Sequence, residues 1–302
     1  MVVHTSIFNR YFLDTVVVIP IASPQLGSEE RAAVDRVLRS GIIAQGPEVS
    51  HFEKEFADMC GVKHAIATSN GTTAGHLAML ANDIGPGDEV ITTPFTFFAT
   101  ASVIMMAGAK PVFVDVDPYT YNIDPAQIEK KITARTRAIM PVHLFGLPCA
   151  MDSIMDIAAR HDLRVIEDSA ETMFARYKGK SVGSFGDIAC FSTYVGHMLA
   201  TGVGGLALTD NPEYVEVLRS FAYHGRDPMY TNIDDMGDSK EARSEIPSRR
   251  FRFVASPGSI AVCTIDDVTD TVGSWPEGGP IGRAGTGGGF VVGVNVAAGV
   301  GS

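Results

Sequence analysis

The chain has few cysteines, no basic run and no apolar stretch of bilayer length. Its four cysteines, Cys60, Cys149, Cys190 and Cys263, are scattered and form no CxxC pair. That spacing argues against a disulfide framework and reads as reduced thiols in a cytosolic protein. The net charge is −11 and no Lys/Arg-rich segment stands out, which argues against nucleic acid or an anionic membrane as partner. The apolar run from Val16 to Ala22 is short, interrupted by Pro20 and preceded by Asp14. It is too short to span a bilayer and lacks the flanks of a signal peptide. The eight histidines are dispersed without ligand spacing to acids or cysteines, so no metal site is expected. A nicotinamide-dependent oxidoreductase is also disfavoured. Gly202-Val203-Gly204-Gly205 lacks GxGxxG spacing and runs into a strand-like segment instead of a helix.

What is present is an ordinary globular composition, 45% apolar and 20% charged, in 302 residues. That is enough for one large domain or two modest ones. Ser28 is a plausible helix N-cap, and Val34, Val37 and Leu38 follow at helical spacing. A second helix is expected to carry Phe52, Phe56 and Met59 on one face and to end at Gly61. Strand-like and helical segments then alternate from His64 to Ile166, which predicts an α/β fold with a mostly parallel sheet flanked by helices. In such sheets ligands bind at the carboxyl ends of the strands. The loops there are Ser69–Thr72, Thr93–Phe98, Glu167–Glu171 and Ser192–His197.

Each loop carries a candidate group. Ser69-Asn70-Gly71-Thr72 leads into a helix whose first N–H groups, with hydroxyls beside them, make an anion site; the plainer reading is a cap and turn. Phe95 and Phe97 read either as stacking surfaces for a flat ring or, by default, as core aromatics. Glu167-Asp168 ends a strand. An acid there can hold a protonated pyridinium nitrogen; the plainer reading is a helix cap or a solvated acid pair. Ser192 offers a hydroxyl to a phosphate or to a turn. His197 sits in the loop between two strands, a common place for a reactive group.

The order and spacing of these motifs resemble the DegT/DnrJ/StrS family of pyridoxal-phosphate-dependent sugar-nucleotide aminotransferases. The resemblance runs from about Ile19 to Val254. Its marks include Gly46-Pro47, Asn70-Gly71-Thr72, Phe95-Thr96-Phe97 with Ala99-Thr100, and Pro141-Val142-His143-Leu144-Phe145-Gly146. Glu167-Asp168, Gly183-Ser184-Phe185-Gly186-Asp187, Phe191-Ser192 and His224-Gly225-Arg226 follow. It implies the type I aminotransferase fold, pyridoxal or pyridoxamine 5′-phosphate as cofactor, and a nucleotide-sugar substrate in polysaccharide or glycoside biosynthesis. It also implies a cytoplasmic homodimer. By the same resemblance Gly71 and Thr72 bind the cofactor phosphate with help from Ser192. Phe97 stacks on the ring, Asp168 pairs with the ring nitrogen, and Glu171 lies near the ring hydroxyl, where the family usually has glutamine.

Three departures matter. His197 stands where the family has the lysine that forms an imine with the cofactor; an imidazole cannot form it but can move protons. A branch of the family with this replacement consists of sugar 3-dehydratases that hold the cofactor non-covalently, with histidine as general base. Lys178 and Lys180, the nearest lysines, match an exposed turn of the family. Val203 stands where the family has glutamate. Beyond Val254 the small domain of the family is missing from the sequence pattern. Residues 255–302 hold 12 of the 31 glycines and no lysine. They read as a disordered or aberrant tail after a large domain spanning 1–254. Three readings stay open: an enzyme using His197 as base, a conventional aminotransferase relative, and an inactive cofactor-binding or assembly protein.

Overall fold

The computed structural model describes residues 22–223. The expected loop over 227–250, the His224-Gly225-Arg226 motif and the glycine-rich 255–302 segment lie outside them.

Two helices come first, α1 (Ser28–Ser40) and α2 (Pro47–Cys60). Gly27, not Ser28, is the N-cap of α1: its N–H donates to Glu30 Oε2 at 2.6 Å. No residue of α1 is buried, so the apolar spacing of Val34 and Leu38 marks no core face among the described residues. In α2, Phe56 is buried against the sheet but Met59 is 55% exposed. Gly61 closes α2 at φ 72°, in the left-handed region glycine tolerates.

The alternation follows with β1 (His64–Thr68), α3 (Gly71–Ala81), β2 (Glu89–Thr92), α4 (Ala99–Met106) and β3 (Lys110–Phe113). Next come α5 (Pro125–Ile128), β4 (Thr136–Ile139), α6 (Met151–His161) and β5 (Arg164–Asp168). A short hairpin, β6 (Arg176–Tyr177) and β7 (Lys180–Ser181), precedes β8 (Ile188–Ser192), β9 (Gly205–Thr209) and α7 (Pro212–Ala222). The hairpin is too short to leave a period in the sequence.

Seven strands form one sheet in the order β1-β9-β8-β5-β4-β2-β3. The pairs among β3, β2, β4, β5 and β8 are parallel, and β9 runs antiparallel to both β8 and β1. The mostly parallel sheet is therefore as expected, with β9 its exception. β3 and β4 are shorter than the apolar runs that encode them.

Alternation along each strand feeds two helical layers. Val90, Ala138, Ile166 and Ile188 pack on one face with Leu77 of α3, Ile104 of α4 and Leu218 of α7. Ile91, Ile139 and Val165 pack on the other with Ile128 of α5 and Ile154 and Ile157 of α6. Each such side chain, fully buried, contributes roughly 1.5–3 kcal/mol. The same two-residue period separates the neighbouring acids at the end of β5. Asp168 follows Ile166 toward α3 and α4, and Glu167 follows Val165 to the opposite face.

Candidate active site

A cavity of about 380 Å³ opens at the carboxyl ends of β5 and β8, beside the N-terminus of α3. Gly71, Thr72, Phe97, Asp168, Glu171, Ser192 and His197 all line it. The structure thus brings these seven residues to one cavity, whereas Ser69, Phe95 and Glu167, from the same loops, do not line it. Neither Lys178 nor Lys180 reaches it, and no lysine or arginine is among its lining side chains. Lys178 pairs with Asp152, and Lys180 Nζ lies 4.7 Å from the Phe185 ring centre.

The α3 end is built for an anion. Asn70 caps the helix, its Oδ1 accepting the Thr73 N–H at 2.8 Å. The N–H groups of Gly71 and Thr72 are then left without helical acceptors at the positive end of an eleven-residue helix. Gly71 must be glycine for space: a Cβ there lies 2.8 Å from Ser192 Cβ. That contact brings the Ser192 hydroxyl up to the same helix end.

Phe95 and Phe97 are not core aromatics. They are 46% and 62% exposed, and Phe97 contributes to the cavity wall. Its ring lies 4.4 Å from that of Phe98.

Asp168 is recessed at the far end. Burial pushes its carboxyl above the ordinary aspartate value, opposed by the Thr100 hydroxyl, the Ala170 N–H, His143 and His197. Thr100 Oγ1 donates to Asp168 Oδ2 at 2.7 Å and the Ala170 N–H to Oδ1 at 3.2 Å. A carboxylate so placed suits a cationic partner in the cavity. Glu171, the second acid, accepts the Phe145 N–H at 3.3 Å.

Glu167 is not solvated. It is fully buried and accepts four hydrogen bonds: His143 Nε2 at 3.1 Å and the N–H groups of Gly183, Phe185 and Gly186 at 2.7–2.9 Å. Burial alone raises a carboxyl; here the His143 and backbone donors prevail and hold it below its ordinary value. The Cys149 N–H donates to His143 Nδ1 at 3.0 Å, which places the ring proton on Nε2, facing Glu167. The His143 N–H in turn donates to the Asp168 carbonyl at 3.0 Å. The Glu167–His143 pair therefore anchors the strand end from behind while Asp168 faces the cavity.

His197 is half-buried in the cavity wall. Its N–H donates to the Tyr194 carbonyl at 2.9 Å, and its ring meets that of Tyr194 edge-on at 6.2 Å. Neither ring nitrogen has a hydrogen-bond partner among the described residues, so both remain open to a ligand. Val203 is 66% exposed. Thr96, Thr100 and Tyr194 also line the cavity; sequence reading missed their part in it, because only the fold brings them there.

Residues 24–238 match the DegT/DnrJ/EryC1/StrS aminotransferase family. The chain is 46% identical over 253 residues to the spore coat polysaccharide biosynthesis protein SpsC of Bacillus subtilis, covering 83% of this chain and 65% of that protein. It is 48% identical over 211 residues to the GDP-perosamine synthase of Caulobacter vibrioides, covering 70% of this chain and 57% of the synthase. Among solved structures, NtdA of Bacillus subtilis with bound cofactor PMP superposes with a TM-score of 0.63 at 35% identity, covering 65% of this chain and 45% of NtdA. The chain thus spans less than two thirds of the length of each of these relatives.

Proposed function

Because this chain belongs to the DegT/DnrJ/EryC1/StrS aminotransferase family, we propose that its cavity takes pyridoxamine or pyridoxal 5′-phosphate without a covalent bond. The substrate is a 4-keto-6-deoxy sugar nucleotide, and His197 is the base of a 3-dehydration. The observation that carries this reading is the cavity wall itself: it holds every other cofactor-binding candidate but an imidazole in place of an amine.

The chemistry of the lining residues matches the parts of the cofactor. The Gly71 and Thr72 N–H groups, which face the cavity without helical acceptors, and the Ser192 hydroxyl would hold its phosphate dianion at the α3 end. Phe97 supplies a flat apolar face to the ring. Asp168 would pair with the ring nitrogen and keep it protonated, and Glu171 would lie near the ring hydroxyl. When bound, the cofactor supplies an electron-poor ring that stabilises negative charge on the carbon attached to it. At a free ring nitrogen His197 would accept the proton that leaves that carbon and give it to the departing 3-hydroxyl, which leaves as water. An imidazole is suited to both directions because its ordinary pKa lies near neutrality.

The relatives named as a perosamine synthase and a polysaccharide biosynthesis protein support a sugar-nucleotide substrate, and the PMP-bound neighbour supports the cofactor. No helix among the described residues is long and apolar enough to cross a membrane. We assign the protein to the cytoplasm as a homodimer, with residues 1–254 as the cofactor-binding domain and 255–302 as a separate glycine-rich segment.

The test is incubation with pyridoxal phosphate followed by borohydride and peptide mapping, together with a dehydration assay on 4-keto sugar nucleotides. The expected result is reversible cofactor binding, no lysine adduct, and dehydration that His197→Asn abolishes while cofactor binding persists. A lysine adduct accompanied by amino transfer overturns the histidine-base reading in favour of a conventional aminotransferase.

A further inference from the structure

Two threonines connect Asp168 to the open cavity. Thr100, in the first turn of α4, is 1% exposed and donates its only hydroxyl proton to Asp168 Oδ2 at 2.7 Å. Its oxygen lies 2.8 Å from Thr96 Oγ1. With the Thr100 proton on the carboxylate, that oxygen is an acceptor, so Thr96 is the donor. Thr96 is half-buried and lines the cavity.

This is not the usual use of a hydroxyl in a helix. Ser102, two residues on, bonds back to the Phe98 carbonyl four residues earlier, at 3.0 Å. Thr92, in β2, donates to the Met140 carbonyl of the neighbouring chain segment at 2.8 Å. Thr100 instead reaches a side-chain carboxylate 68 residues away in the sequence. From geometry and burial we propose that Thr100 is a positioning residue that holds the Asp168 carboxylate ionised and aimed into the cavity, with Thr96 as the outer member of the relay.

The surroundings make that hydrogen bond count. Asp168 interacts electrostatically with His143 in the loop after β4, His197 in the loop after β8 and the Cys190 thiol on β8, and Glu171 shares its cavity. Glu167 lies on the opposite face of β5. Burial favours the protonated acid, and Thr100 is foremost among the groups that oppose it. Removing a donor to the ionised form raises the pH at which the acid protonates.

The ligand arm of the test rests on the proposed cofactor; the titration arm does not. In the full chain without ligand, carboxyl carbon NMR gives the Asp168 midpoint, its signal identified by its loss in Asp168→Asn. Thr100→Val, nearly isosteric, is expected to raise the midpoint. Thr100→Ser is expected to restore it, and Thr96→Val to raise it by less. An unmoved midpoint in Thr100→Val, or a serine variant that behaves like valine, overturns the proposal. If Thr100→Val does not fold, an unmoved midpoint in Thr96→Val overturns the relay. In the ligand arm, PMP affinity is measured against pH by fluorescence. Thr100→Val is expected to bind about tenfold more weakly, with the loss on acidification starting at higher pH than in the wild type. A superimposable profile overturns the proposal. Failure of the wild type to bind PMP refutes the cofactor reading alone, and the NMR midpoints still decide the role of Thr100.

Discussion

Gly205 lies against the Asn70 peptide so closely that a Cβ on it sits 2.4 Å from the Asn70 carbonyl carbon and 2.6 Å from the Gly71 nitrogen. The first residue of β9 is thus the floor under the anion-binding turn. Backbone atoms cannot give way as a flexible side chain does. Gly205→Ala is expected to displace the start of α3, to cost about 1–3 kcal/mol of stability and to abolish phosphate-dependent ligand binding. Thermal unfolding together with pyridoxamine phosphate titration checks this. Unchanged affinity in a folded variant shows that the close approach does not shape the site.

The buried pair Glu167 and His143 gives a second expectation. Gln at 167 must point an NH₂ at backbone N–H groups or at His143 Nε2–H. The ring cannot shift its proton, because Nδ1 accepts from Cys149. Glu167→Gln should therefore cost about 3–5 kcal/mol. The sign of the pH effect follows from the lowered carboxyl pKa. Its stabilisation is present above the unfolded value of about 4.3 and is lost as pH falls through the folded value. Urea unfolding from pH 7 to pH 3 should show a shallower acid slope in the variant. Parallel slopes mean the carboxylate is not held ionised.

The contrast between Glu167 and Asp168 shows what the sequence made legible. The alternation from His64 onward gave the layered fold, and the strand-end loops held the seven candidate residues that line the cavity, but not the parts played by Thr96, Thr100 and Tyr194. Glu167 was read with Asp168 as one acid pair, although a two-residue period puts them on opposite faces. Taken alone, Phe95 and Phe97 read by default as core aromatics, and only the resemblance pointed Phe97 to the ring, because an apolar side chain does not reveal that a loop turns it to a cavity wall. Thr100 and His143 stood in plain view within motifs. Their partners are 68 and 24 residues away, and only the sheet order brings them together. Gly205 was visible as a glycine, but the peptide it makes room for was not.

His197 can be tested by gain as well as loss. His197→Lys places an amine in the wall of a cavity that has none. After pyridoxal phosphate and borohydride, peptide mapping should find an adduct at residue 197 in the variant and no lysine adduct in the wild type. Dehydration should fall in the same variant. Absence of the adduct in a variant that still binds the cofactor means residue 197 does not face its reactive end.

The last expectation concerns His76, in the middle of α3. It is 4% exposed, and its Nε2 is buried without a hydrogen-bond partner among the described residues. Burial pushes its imidazole down to about 4, against an unfolded value of about 6.5. Above pH 6.5 the ring is neutral in both states and contributes no pH dependence. Between 6.5 and 4 the unfolded chain takes up a proton that the folded chain refuses, so stability falls with pH. Below 4 both states are protonated and the slope ends. His76→Leu removes the titration and fills similar space with a side chain that needs no partner. Relative to wild type the variant should gain stability progressively on acidification, by about 3 kcal/mol at pH 4. Urea unfolding at half-unit pH steps measures it. Curves that stay parallel across this window mean His76 finds a proton acceptor in the folded protein and does not limit its acid stability.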